Sequence, residues 1–162
     1  MEKQIVAQMY EYGIWANKKL LDKASELTDE ELRKPFTPHG FTILGSLAHL
    51  VSAEIRWHQA WTSRPMSDPI TVNEVPTIAA VRAKWETLWA ERRAFIESLA
   101  PEQLAQPFTR TIRGQTQSVI LWNALVHVAN HGTQHRSEIA FMLTELNHSP
   151  GDLDMIFYFA GR

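Results

Sequence analysis

Three histidines, His127, His131 and His135, follow one another at steps of four in the stretch Val126 to Met142. On a helix that spacing puts all three imidazoles on one face. Ile120 and Ala124 before them, and Glu138 and Met142 after them, continue the row. It reads as the bundle-facing stripe of an amphipathic helix, with the imidazoles pointing inward. Packing alone is a poor reason for three inward imidazoles, whereas a metal ion is a good one. Imidazole nitrogen suits zinc, nickel, copper and iron.

Helix geometry limits how the row can be used. Residues i and i+4 are one turn apart and both reach a single ion; residues i and i+8 are about 12 Å apart and do not. The helix therefore supplies a pair, and a third ligand must come from another element. His49 is the best donor, because Gly45, Ser46 and Ala53 surround it with small side chains. Two sets fit, His49 with His131 and His135, or His49 with His127 and His131. Three neutral ligands leave a position for water, as a catalytic site requires. The ion would acidify that water or a bound thiol and polarise a substrate. Glu138, one turn beyond His135, is the candidate catalytic carboxylate, either fixing a ring or accepting a proton.

The remaining candidates read more plainly. If it is not a ligand, His127 reads as a pocket group or a partner of the ligands, and His39, His58 and His148 read as surface or loop residues. Tyr12 and Trp15 read as core. Arg56 and Arg92 could receive an anionic substrate, but snorkelling from the bundle edge is the preferred reading. HGTQH (His131 to His135) lacks the glutamate of a zinc-peptidase HExxH. No G-x-S-x-G, phosphate-cradling loop or dinucleotide fingerprint occurs, so no cofactor beyond the metal is expected.

Four long helices must position these groups. Helical periodicity covers about Glu2 to Glu26, Thr42 to Thr62, Thr77 to Leu99 and Gln117 to Leu146. Thr28 with Glu31 forms a capping-box pattern ahead of a short helical turn closed by Pro35. Pro101 to Gln106 reads as a similar turn, and Phe108 to Thr116, which alternates and carries Gly114, as extended chain or a tight turn. Arg64 to Pro76 holds three prolines and is the connection long enough to cross between parallel helices. The apolar tail Leu153 to Phe159 should pack back on the bundle. LTDEELRKPFT (Leu27 to Thr37) is echoed by LAPEQLAQPFT (Leu99 to Thr109), and ILGSLAHL (Ile43 to Leu50) by LWNALVHV (Leu121 to Val128). A duplicated helical hairpin gives an all-α four-helix bundle, with His49 and His127 as counterparts.

Composition agrees. With 162 residues, 44 % of them apolar and 21 % charged, the chain suits one globular domain over residues 1–162. A net charge of −2 without a basic block gives no nucleic-acid signature. No apolar run approaches a membrane span, and MEKQIVAQMY has no signal-peptide core, so the expected location is cytoplasmic. The absence of cysteine excludes disulfides and a thiolate nucleophile.

An ordered set of motifs resembles the DinB/YfiT-like superfamily of metal-binding four-helix bundles. Tyr12 to Asn17 (YGIWAN) is similar to its opening Y-x-x-W-A-N. Leu47 to Leu50 (LAHL) is similar to its helix-two histidine motif. His127 to Arg136 is similar to its H-V-x-N-H-x-x-x-H-R signature, and Asp152, Asp154 and Tyr158 to its closing D-x-D and aromatic tail. The resemblance spans essentially the whole chain. It implies an up-down-down-up bundle, often a homodimer, with a divalent ion, commonly zinc or nickel, on three histidines. Carried over by motif, these are His49, His131 and His135. Better-understood relatives use the metal to activate a low-molecular-weight thiol for transfer or isomerisation, and others are described as hydrolases. Many members have a histidine just before the last ligand and Gly-Gln after the arginine. Gln134, Ser137 and Glu138 stand here instead, which puts the thiol contacts in question.

Two functions follow as expectations. One is a metal-dependent hydrolase or thiol transferase acting on a small molecule. The other is a non-catalytic metal-binding dimeric bundle serving as a stress-response or interaction protein. A fourth protein ligand on the metal would favour the second.

Overall fold

The computed structural model describes residues 1–36, 40–112 and 114–161. Four long helices form the bundle: α1 (Glu2–Ala24), α3 (Ile43–Trp61), α4 (Ile78–Ser98) and α6 (Leu121–Glu145). Short helices α2 (Asp29–Arg33), α5 (Pro101–Leu104) and α7 (Met155–Phe159) and one hairpin, β1 (Pro107–Ile112) with β2 (Gln115–Ile120), complete the order. The helix starts follow local chemistry. Thr42 Oγ1 accepts from Gly45 N at 2.9 Å and Thr77 Oγ1 from Ala80 N at 3.2 Å, each satisfying a first-turn donor. The Thr28–Glu31 box is formed in both directions, at 3.3 and 2.8 Å. Its echo at α5 is half a box, since Gln103 Oε1 accepts from Ala100 N at 2.7 Å but alanine offers no oxygen in return.

The core divides into two clusters, and these set the direction of each helix. Val6 and Tyr10 of α1 share one with Trp61 of α3, Ile96 of α4 and Leu125 and Val128 of α6. Leu20, Leu21 and Ala24 share the other with Ile43, Leu44 and Leu47, with Ile78, Val81 and Trp85, and with Ile139 and Leu143. So α1 and α6 run one way and α3 and α4 the other, an up-down-down-up arrangement. α6 packs between α1 and α3, and α4 closes the ring between them. After α3 the chain lies back along that helix. Ser67 N donates to Gln59 Oε1 at 3.0 Å, Ile70 N to Ser52 Oγ at 2.9 Å, and Val75 is buried with the start of α3.

Several expectations are corrected. Helix four does not begin at Gln117. Residues 115–120 pair with 107–112 as an antiparallel hairpin around Gly114, whose φ of +77° favours glycine. Helix α6 starts at Leu121, whose N–H donates to Gln106 O at 2.9 Å. Its most buried row is Leu125, Val128, Gly132, Arg136, Ile139 and Leu143, not the histidine row, which lies along the flank of that seam. Arg92 does not snorkel. It is 4 % exposed and donates to Glu54 Oε2 at 2.8 Å and to Glu54 O at 3.2 Å. His58, expected at the surface, is buried on the α3 row that also carries Glu54 and Trp61. His39 lies outside the described residues. His148 meets Glu26 Oε2 at 3.0 Å. Tyr12 is buried, its hydroxyl donating to Leu153 O at 2.8 Å, and Tyr158 packs on Tyr12 and Trp15. The tail therefore docks on α1 through Leu153 and Tyr158, while Ile156 and Phe159 remain exposed.

The buried ion pair generates a prediction. Glu54→Ala leaves the Arg92 guanidinium unpaired among Tyr10, Trp85 and Trp89, which should cost about 3–5 kcal/mol in urea unfolding. The double variant Glu54→Leu with Arg92→Met should recover most of that loss. Equal losses in the single and double variants would contradict the pairing.

Candidate metal centre

α3 and α6 lie side by side and antiparallel, and they bring His49 opposite His131 and His135. One ring nitrogen from each of the three lies within 4.8 Å of the others. Ring centroids are 4.8 Å apart for His49 and His135, 5.9 Å for His49 and His131, and 4.5 Å for His131 and His135. The Nε2 atoms of His131 and His135 are 3.2 Å apart. Two imidazole nitrogens bound tetrahedrally to zinc stand about 3.4 Å apart, so this pair already has chelating spacing. His49 needs a side-chain adjustment on the order of 1 Å to join them.

The surroundings suit neutral, lone-pair-bearing rings. His135 Nδ1 is 2.8 Å from Glu138 Oε2. With the ring's proton on Nδ1 for that bond, Nε2 keeps its lone pair for the ion. Burial, with help from His135, His49 and His127, pushes His131 down to about 4, against a smaller pull from Glu54. His49 is exposed, yet partial desolvation and then His135 lower it as well, while Glu138 acts the other way. His127 stands apart from the cluster. It is exposed, its ring centroid 6.1 Å from that of His131 and 5.4 Å from that of Trp57.

Two clefts flank the histidines. One, about 470 Å³, is lined by Phe36, Phe41, Ser46, Phe141 and Met142 with Ser137 and Glu138. The other, about 410 Å³, lies on the His127 side between α3, α6 and the hairpin. A groove of about 460 Å³ between α1 and α4 lies across the bundle from this chemistry. A small-molecule site with an apolar wall and a few polar groups needs about 300–1,000 Å³, so either flanking cleft is large enough.

Comparison with known proteins identifies the family and the fold. The DinB family matches residues 1–161. The chain belongs to the DinB family. It is 25 % identical over 159 residues to Protein DinB of Bacillus subtilis (strain 168), covering 93 % of this chain and 91 % of that protein. YfiT from Bacillus subtilis, described as a probable metal-dependent hydrolase with an unusual four-helix bundle topology, superposes with a TM-score of 0.68 at 18 % identity, over 90 % of this chain and 87 % of that one. A DinB-like protein from Bacillus cereus ATCC 10987 superposes with a TM-score of 0.66 at 17 % identity, over 88 % and 91 % of the two chains. At those identities the structural likeness establishes the shared four-helix bundle.

Sequence reasoning missed three charged or titratable groups in this DinB-family bundle. Leu47, Leu50, Glu54, His58 and Trp61 recur at helical spacing, so Glu54 and His58 could have been placed on the core stripe. Arg110 could have been placed only once Phe108 and Arg110 were read as alternate residues of one strand face.

His58 yields a pH prediction. It is 2 % exposed with neither ring nitrogen hydrogen-bonded, and Glu91, 3.5 Å away, is claimed by Arg64 at 2.6 Å. Burial and then Arg92 lower it from 6.5 to about 4, so between those values the unfolded chain binds the extra proton. Stability should therefore fall as pH drops through that window, and less steeply in His58→Leu. Urea midpoints of metal-free protein from pH 7 to pH 4.5 check this; parallel profiles for the two proteins would contradict it.

Proposed function

We propose that this protein is a divalent-metal-dependent enzyme in which His49, His131 and His135 would hold one ion, zinc or nickel, with no fourth ligand from the protein. The carrying observation is the gathering of three ring nitrogens from two helices within 4.8 Å. The reaction is a hydrolysis or the transfer of a low-molecular-weight thiol on a small molecule. The description of YfiT as a probable metal-dependent hydrolase supports the hydrolytic arm.

When bound, such an ion supplies Lewis acidity, bringing water towards a pKa of about 7 and polarising a carbonyl or similar group. The rest is the work of side chains. His131 is held neutral by burial and so offers a lone pair at neutral pH. Glu138 orients His135 through Nδ1 and also lines the apolar cleft. Its second oxygen is then available to accept a proton from a nucleophile entering that cleft. Phe36, Phe41, Phe141 and Met142 exclude water from one side and receive an apolar group. His127 contacts Trp57 beyond the triad and serves the entrance rather than the shell.

Protein purified without a histidine tag should take up one equivalent of zinc or nickel. His131→Ala should retain helical content and bind less than a tenth of an equivalent. Glu138→Gln should weaken the metal about 10- to 100-fold by loosening His135. Metal uptake in His131→Ala equal to that of the parent would contradict the ligand set. Affinity should also fall as pH is lowered from 7 towards 4, because protons compete for the ring nitrogens. Competition with a coloured chelator at pH 7.5, 6 and 5 measures this, and a flat profile would rule out imidazole ligation.

A further inference from the structure

The cleft on the His127 side carries charge that the fold leaves uncompensated. Period-two alternation and the strand register place Phe108, Arg110, Gln117 and Val119 on one face of the hairpin, and that face lines the cleft opposite Trp57, Ala124 and His127. The Arg110 guanidinium stacks over Trp57, with Cζ 4.0 Å from the ring centre. Its Nε and Nη1, and the Nε of neighbouring Arg56, are buried without hydrogen-bond partners. Among the described residues neither arginine has a carboxylate within ion-pair distance. Both forks converge instead on one atom, the thioether sulfur of Met66, at 3.3 Å from Arg56 Nη2 and 3.8 Å from Arg110 Nη2. A thioether is a weak acceptor and neutralises nothing. Two half-buried cations turned to the same point repel each other and cost stability unless an anion joins them. Burial and the charge of Arg56 both lower Arg110, the signature of that conflict. Arg92, by contrast, is paired with Glu54, and Arg93 with Glu11.

We propose that Arg110, reinforced by Arg56, is the receiving site for an oxyanion, a carboxylate or a phosphate, on a small substrate whose apolar body lies against Phe108, Val119 and Ala124. The anion takes the place held by Met66 Sδ, and Met66 lies on an exposed stretch of the connection between α3 and α4. Continuity with the metal centre gives the substrate its direction. His127 lines this cleft and is in ring contact with His131, so the anionic end is anchored at Arg110 while the reacting group points past His127. Only that direction rests on the proposed metal chemistry; anchoring of the anion does not.

Calorimetric titration of benzoate, phenyl phosphate and the neutral benzamide tests the site in metal-free and zinc-loaded protein. At least one anion should bind ten-fold or more tightly than benzamide in both forms, and the tighter of the two names the oxyanion. Arg110→Gln should reduce it to the benzamide level, and His131→Ala should leave it within about two-fold. Met66→Glu supplies an internal carboxylate, and should both abolish anion binding and raise the melting temperature; it decides the matter if Arg110→Gln fails to fold. Anions no tighter than benzamide, a preference that survives Arg110→Gln or Met66→Glu, or one that appears only with zinc bound would overturn the proposal. Zinc uptake without Arg110-dependent anion binding sinks this site alone. Anion binding without zinc uptake sinks the metal reading alone.

Discussion

The contact between α3 and α6 is the constraint on which the histidine cluster depends. A helix rises 1.5 Å per residue, so α6 by itself can bring two imidazoles to one point but never three. The third must arrive from a neighbour held at fixed distance and rotation. Leu44, Leu47 and Val51 of α3 and Ile139, Met142 and Leu143 of α6 supply that fixity by sharing one buried cluster. Each such side chain contributes about 1.5–3 kcal/mol on burial, and together they leave His49 little freedom except rotation about its own side-chain bonds. The antiparallel run of the two helices extends the pairing along the groove, with Trp57 meeting His127 where His49 meets His135 one end away.

Beneath the histidines lies a polar layer that is unusual for a bundle core. Glu54 accepts from Arg92 and from Trp85 Nε1, at 2.8 and 3.3 Å, and Arg92 lies over the Tyr10 ring. Arg136, beside His135 in sequence, points the other way, into the seam between Gly13 and Gly132, where a Cβ on Gly132 would stand 2.7 Å from its Nη1. The glycine is there to make room for the guanidinium. Adjacent residues of α6 thus do opposite things: His135 turns to the cleft and Glu138, Arg136 to the interior and Thr133 Oγ1 at 2.9 Å.

That geometry explains how much could be read from the residues alone. The four long helices, the Thr28–Glu31 box and the docking of the tail were legible because each is a local pattern of period, cap and breaker. The grouping of His49 with His131 and His135 was narrowed to two sets by helix rise and then implied by family motifs. The true core row of α6 was not legible, because it passes through Gly132 and Arg136, neither of which scores as apolar, and so the stripe was assigned to the histidines. The start of α6 was misplaced for a related reason. Gln115 to Ile120 fits a helix or a strand equally well, and only cross-strand pairing with Pro107 to Ile112 decides it. Arg92 and His58 were misjudged because burial of a charge or an imidazole depends on partners or neighbours from other helices, which spacing along one helix does not reveal.

The central claim concerns what surrounds the ion, and X-ray absorption at the metal edge of zinc-loaded protein reads it directly. The account predicts three imidazole nitrogens at about 2.0 Å and one exchangeable light ligand, the latter replaced by sulfur at about 2.3 Å where a small thiol is the co-substrate. A spectrum with no imidazole scattering, or with a fourth ligand from the protein closing the shell, would contradict it.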